Sequence, residues 1–247
     1  MKFKHVLISQ PPPENDKSPY VDLINDYSLD VCFRKFIKIE SVGAREFRKH
    51  RIQVPDYTAI IFTSKNAIDH FFSLCEELRV QISEQMKYFC TSEAIALYLQ
   101  KYVQFRKRKI FFGKNHFSDL MDVIKKHKDE KFLFPCAENH KREIPQMLKQ
   151  HKIQFSAAPI YRSVPEDLSD IDIGKYQMLV FFSPFGIQAL RLNFPEYAQG
   201  DTVIATFGKA TQKAAEKDGL KVQITAPTKT APSMVMAIKE FMEKQGK

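Results

Sequence analysis

The chain has 247 residues, 44% of them hydrophobic, with 38 Lys and Arg against 29 Asp and Glu for a formal charge of +9. That length can bury one large core or two modest ones, and the basic excess suits an acidic partner. No apolar run approaches the roughly 18 residues of a membrane span, no block of charge is dense enough for a nucleic-acid tail, and Cys32, Cys75, Cys90 and Cys136 form no C-x-x-C pair, which argues against membrane, disulfide-framework and zinc-ribbon classes.

Short apolar runs alternate with helical patterns. "HVLIS" predicts a first strand, followed by an irregular loop containing "PPPEN", a helix and a short strand ending in "LDV". "FRKFIKIE" then reads as extended. Strands follow at "AIIFTS", "KYFCTS", "RKIFFG" and "KFLFPC", a second extended stretch at "SAAPIYRSVP", and strands at "QMLVFFS", "TVIATFG" and "KVQITAP". Uninterrupted apolar strands separated by helices point to parallel sheets buried on both faces, so the class is α/β.

The chain repeats itself. "IIFTSKNAIDHFF" from Ile60 returns as "LVFFSPFGIQALR" from Leu179, with Phe62 on Phe181, Ser64 on Ser183 and Ile68 on Ile187. "FCTSEAIALYLQ" from Phe89 then matches "ATFGKATQKAAE" from Ala205, and "FSDLMDVIKKH" from Phe117 matches "APSMVMAIKEF" from Ala231. The middle continues into "FLFPCAENHKREIPQML", whose counterpart lies at the other end of the chain, Leu7 aligning with Leu133. This predicts a middle domain, 41–156, inserted into a discontinuous outer domain of 1–35 and 164–247. Linker strands at 36–40 and 157–163 would pair antiparallel as a two-stranded hinge and leave a cleft between the domains.

Ser64 and Ser183 each follow a strand and open a helix, where a hydroxyl accepts a bond from an early helical amide; Pro184 suits the first helical position. Capping is one reading. The other is anion recognition, because parallel α/β sheets take ligands at the carboxyl ends of their strands, where helix N-termini offer free amides. At least four such turns recur: Thr63-Ser64, Ser92 with Glu93, Phe182-Ser183, and Gly208 with Lys209. The basic runs "FRKRK" and "KKHKDEK" read as solvated faces or turns, the phenylalanines as core, and the seven His form no ligand set. No metal or nucleotide site is expected.

"FTSKNAI" with "FFSPFGI", the turn "FGKATQKAA", the tail "APTKTAPSMVMAI" and the Tyr of "PIYRSVP" together resemble the uroporphyrinogen-III synthase family over the whole chain. The resemblance implies two flavodoxin-like domains on a two-stranded linker, the architecture the repeat already suggests. It implies conversion of hydroxymethylbilane to uroporphyrinogen III, with loss of water, inversion of ring D through a spiro intermediate, and no metal or organic cofactor. Tyr161 stands where the family has its linker tyrosine, the candidate catalytic residue. Thr63, Ser64, Lys65, Ser92, Ser183, Pro184, Phe185, Gly186, Gly208, Lys209, Thr211 and Thr230 become candidate substrate-binding residues. Two positions depart from the family pattern, Ser92 replacing Gly and Ile95 replacing Thr, and Lys229 precedes the tail threonine.

A polycarboxylate bilane is the expected partner, handed over by the preceding pathway enzyme, with no nucleic acid or membrane; the protein is expected to be a cytoplasmic monomer. The alternative is a non-enzymatic two-lobed module that binds an anion or tetrapyrrole and closes on it. A nucleic-acid-associated protein is the third reading, carried only by the basic balance.

Overall fold

The computed structural model describes residues 4–13, 18–140 and 142–245. Part of the loop predicted after the first strand, 14–17, lies outside the described residues, as do the termini of the predicted outer domain, 1–3 and 246–247. Among the described residues the strands are β1 (His5–Ile8), β2 (Asp30–Phe33), β3 (Ile37–Ser41), β4 (Ala59–Phe62), β5 (Lys87–Cys90), β6 (Ile110–Phe112), β7 (Phe132–Ala137), β8 (Phe155–Pro165), β9 (Met178–Phe181), β10 (Val203–Phe207) and β11 (Val222–Ala226). The α-helices are α1 (Tyr20–Tyr27), α2 (Ala44–Phe47), α3 (Lys65–Leu78), α4 (Glu93–Tyr98), α5 (Phe117–Lys126), α6 (Glu143–Gln150), α7 (Pro184–Asn193), α8 (Lys209–Lys217) and α9 (Met234–Gln245). The chain divides into two compact units, Ile39–Arg162 and the pair Met1–Lys38 with Ser163–Lys247.

In the middle unit the sheet order is β3-β8-β7-β4-β5-β6. β4 pairs in parallel with β5 on one side and β7 on the other, and all four of its residues are buried. The strand is apolar throughout because both its faces are covered: Ile60 and Phe62 pack into a core with α2, α3 and α4, Ala59 and Ile61 into one with α5 and α6. α3 turns Ala67, Ile68, Phe71, Leu74 and Cys75 inward, the helical spacing that makes one apolar stripe.

The outer unit repeats the plan with its own strands, in the order β11-β10-β9-β1-β2, all parallel. β9 stands where β4 does, β10 for β5, β11 for β6, β1 for β7 and β2 for β8. The helices follow, α1 and α9 covering one face and α7 and α8 the other. Both sheets are doubly wound, and the direction of winding reverses between β4 and β7 in one and between β9 and β1 in the other. The duplication read from the sequence, including its wrap-around of Leu7 onto Leu133, is the duplication of these strands.

The linker strands differ in extent from 36–40 and 157–163. β3 runs from Ile37 to Ser41, and Phe33, first residue of "FRKFIKIE", ends β2 instead. β8 is 11 residues long, and its first half pairs with β7 from Phe132 opposite Phe155 onward. It is therefore a full strand of the middle sheet, held there by burial of Ala158 and Ile160. Val42 N donates to Ile160 O at 2.9 Å and Glu166 N to Phe36 O at 2.9 Å, so rising numbers on β3 meet falling numbers on β8, the antiparallel sense. Among the described residues no helix is long and apolar enough to cross a membrane.

Candidate functional site

The reversal point of the middle sheet carries the densest chemistry. Ser64 leaves β4 in an extended conformation and caps α3, its Oγ accepting a bond from Ala67 N at 3.1 Å. Tyr161 arrives from β8 by an irregularity. The β7–β8 register runs evenly to Cys136 opposite Pro159, then skips so that Ala137 faces Tyr161. An extra residue on one strand turns the next side chain to the other face. Ala158 and Ile160 already face the core beside α3; without the skip Tyr161 would alternate away from it, and with the skip Tyr161 packs against that same core. Its hydroxyl lies 3.5 Å from Ser64 Oγ, longer than a firm O–H···O bond.

His70, one and a half turns into α3, stacks on the Tyr161 ring with centroids 5.2 Å apart and planes at 22°. Burial holds its imidazole pKa below the usual 6.5, against a smaller opposite pull from Asp69. The Asp69 carboxylate itself accepts from the hydroxyls of Tyr98 at 2.8 Å and Tyr102 at 2.7 Å. Lys65 Nζ sits 5.2 Å from the Tyr98 ring centroid. Thr63 is half-buried at the end of β4. Ser92 precedes α4 but its side chain makes no capping bond, and that helix has only 6 residues. Arg162, next to Tyr161, is engaged by Glu46 in a two-pronged pair at 3.0 and 3.1 Å and by Glu138 at 3.4 Å. The guanidinium beside it holds the Glu46 carboxyl below the usual range.

In the outer unit Ser183 caps α7, accepting from Gly186 N at 3.2 Å, with Pro184 and Phe185 in the first turn. Gly186 is a close approach: a Cβ there would stand 3.2 Å from Phe181 Cδ1 and 3.7 Å from Ser9 Oγ. Ser9 follows β1 across the reversal point and donates its N–H to Val180 O at 2.9 Å. Gly208 turns into α8 at φ 86°, its N–H bonded to Ala226 O at 2.6 Å, and Lys209 is exposed beside it. Thr230 is exposed in the loop after β11, its hydroxyl 3.4 Å from that of Thr228.

Comparison with known proteins gives the family and the fold. The family model described as Uroporphyrinogen-III synthase HemD matches residues 18–236. The chain belongs to the uroporphyrinogen-III synthase family. A uroporphyrinogen-III synthase of Chlorobaculum parvum is 25% identical over 98% of this chain and 100% of that one. The crystal structure of uroporphyrinogen-III synthetase from Helicobacter pylori 26695 shares the fold at a TM-score of 0.57 and 17% identity, covering 98% of this chain and 99% of that one. A mutant uroporphyrinogen III synthase from the extremely thermophilic bacterium Thermus thermophilus does so at a TM-score of 0.50 and 12% identity, covering 98% and 99%.

For this member of the uroporphyrinogen-III synthase family, a lyase-type group, the structure gathers Thr63, Ser64, Lys65 and Tyr161 at one reversal point and Ser183, Pro184, Phe185 and Gly186 at the other. It does not bring Thr230 to Ser183, since β10 lies between β11 and β9. Thr211 is 2% exposed, because the third position of α8 turns into the fold. Sequence reasoning missed His70 and Ser9. A signal for Ser9 existed, since it follows β1 directly as Thr63 follows β4; His70 carried none, its stacking depending on a strand remote in sequence.

The Cys75, Cys90 and Cys136 thiols are each pushed up to about 12 by burial, which removes them as nucleophiles. Cys136 Sγ lies 3.4 Å from His140 Nδ1, yet among the described residues no group of three or more His, Cys, Asp or Glu is placed to hold a metal ion. Nearly all of the +9 excess falls in the middle unit.

Proposed function

We propose that this chain converts hydroxymethylbilane to uroporphyrinogen III in tetrapyrrole biosynthesis, acting as a hydro-lyase. The observation that carries the reading is a phenol, Tyr161, delivered by a strand irregularity to the same reversal point as Ser64 in a chain matched by the family model over 18–236. Tyr161 protonates the hydroxymethyl oxygen, which leaves as water. The resulting azafulvene carbon is attacked by the substituted carbon of ring D, forming the spiro intermediate. The bond from that carbon to the ring C methylene then breaks to give a second azafulvene, and the free α-carbon of ring D attacks it and loses its proton, which reprotonates the Tyr161 phenolate; ring D is thereby inverted.

A phenol is a modest general acid, so most of the rate and all of the isomer choice come from orientation. The substrate is a polyanion and needs many distributed donors. The backbone amides that open α3, α7 and α8, with Thr63, Ser64, Lys65, Ser92, Ser183, Gly186, Gly208, Lys209 and Thr230, are the groups assigned to its acetate and propionate chains. We assign the protein to the cytoplasm as a monomer that takes its labile substrate from the preceding enzyme.

The test is to supply freshly generated hydroxymethylbilane and separate the oxidised uroporphyrin isomers by chromatography. Predominant isomer III is expected. Isomer I at the spontaneous level refutes the activity, and tight retention of the unreacted bilane marks a binding module instead.

A further inference from the structure

Tyr161 is placed by its strand but is not held by its hydroxyl. Its Ser64 contact is 3.5 Å, and Ser64 Oγ already serves the Ala67 amide. The ring of His70, by contrast, lies nearly parallel to the phenol at 5.2 Å. Among the described residues neither nitrogen of His70 has a hydrogen-bond partner, and the adjacent Asp69 carboxylate is taken by Tyr98 and Tyr102. What His70 offers its surroundings is therefore a flat face. α3 is a rigid base for that face, because its opposite stripe is locked in the core by Ile68, Phe71 and Leu74.

We propose that His70 is a positioning residue for Tyr161, its ring face fixing the phenol in the orientation that the β7–β8 irregularity allows. This inference rests on the acid role assigned to Tyr161. A proton donor acts only within a narrow distance and angle of its acceptor, and a half-buried side chain without a firm hydroxyl partner otherwise samples several rotamers. Offset stacking restricts that sampling without occupying the hydroxyl, which stays free to donate. The interaction needs a planar partner and not an imidazole as such.

The test uses the full chain with His70→Ala, His70→Phe and Tyr161→Phe, alone and combined, assayed for isomer III from hydroxymethylbilane, with 3-fluorotyrosine incorporated for 19F NMR. The Tyr161 resonance is assigned by its loss in Tyr161→Phe. His70→Ala is expected to lower kcat about two- to tenfold, the span of a lost aromatic pair, with KM unchanged. His70→Phe restores kcat, and His70→Ala adds no loss in the Tyr161→Phe background. The 19F line of Tyr161 shifts in His70→Ala and not in a distant control, His151→Ala. An unmoved 19F line, a loss shared equally by His70→Ala and His70→Phe, or a full loss persisting in the Tyr161→Phe background overturns the positioning role. Absence of isomer III from the wild type overturns the proposed activity instead, and the 19F line still decides whether His70 orders the phenol.

Discussion

Thr206 sits at the carboxyl end of β10, 1% exposed, and among the described residues its Oγ1 has no hydrogen-bond partner. A buried hydroxyl without a partner forfeits its hydration, a loss of about 1–3 kcal/mol in proteins. Valine has nearly the same shape and places a methyl where the hydroxyl was, which adds about 0.8 kcal/mol of apolar burial. Val is also at home in a central parallel strand, here flanked by Phe181 on β9 and Thr225 on β11. Thr206→Val is therefore expected to stabilise the chain by about 1–3 kcal/mol. With a urea slope of about 2 kcal/mol/M this raises the unfolding midpoint by about 0.5–1.5 M at unchanged slope. Equilibrium urea denaturation followed by circular dichroism measures it. A midpoint at or below that of the wild type refutes the reasoning, since it means the hydroxyl is satisfied. A raised midpoint with loss of isomer III formation would show that the bare hydroxyl is kept for the ligand.

Ser64→Ala and Ser183→Ala each remove a cap seen as a bond to the third helical amide and are expected to cost about 1 kcal/mol, the Gly replacements only a few tenths; thermal unfolding of the four variants checks this. Gly208→Ala is expected to lose about 1–3 kcal/mol through backbone strain at φ 86°, although a Cβ there meets no atom within 4 Å, so a neutral result in denaturant titration would rule out strain as its constraint. His70 and His127 both have pKa values held below 6.5, chiefly by burial. As pH falls through 6.5 the unfolded chain takes up these protons before the native state does, so stability drops below that pH and is regained above it. Urea midpoints at pH 7.5 and 5.5 should converge in His70→Phe with His127→Phe relative to wild type, and an undiminished gap would assign the acid sensitivity to other groups.

What the sequence determines by itself is what local physics and repetition can carry. Apolar runs such as "AIIF" and "MLVF" are legible as strands because burial on both faces leaves no alternation to obscure them. The caps at Ser64 and Ser183 are legible because a hydroxyl, an amide three residues on and a helix start all lie within one turn. The wrap-around of the duplication is legible because homologous strand–helix units keep their order even when the chain starts elsewhere in the cycle. Tertiary structure alone decides the rest. Which face Tyr161 presents turns on a one-residue skip between β7 and β8, and alternation along β8 by itself gives the wrong face; Pro159, which cannot donate to a ladder, was the local hint. The same holds for Thr211, a polar residue whose helix turns it inward, for the bare hydroxyl of Thr206, and for the His70 stack. Each is set by packing between segments far apart in the chain, which no single segment encodes.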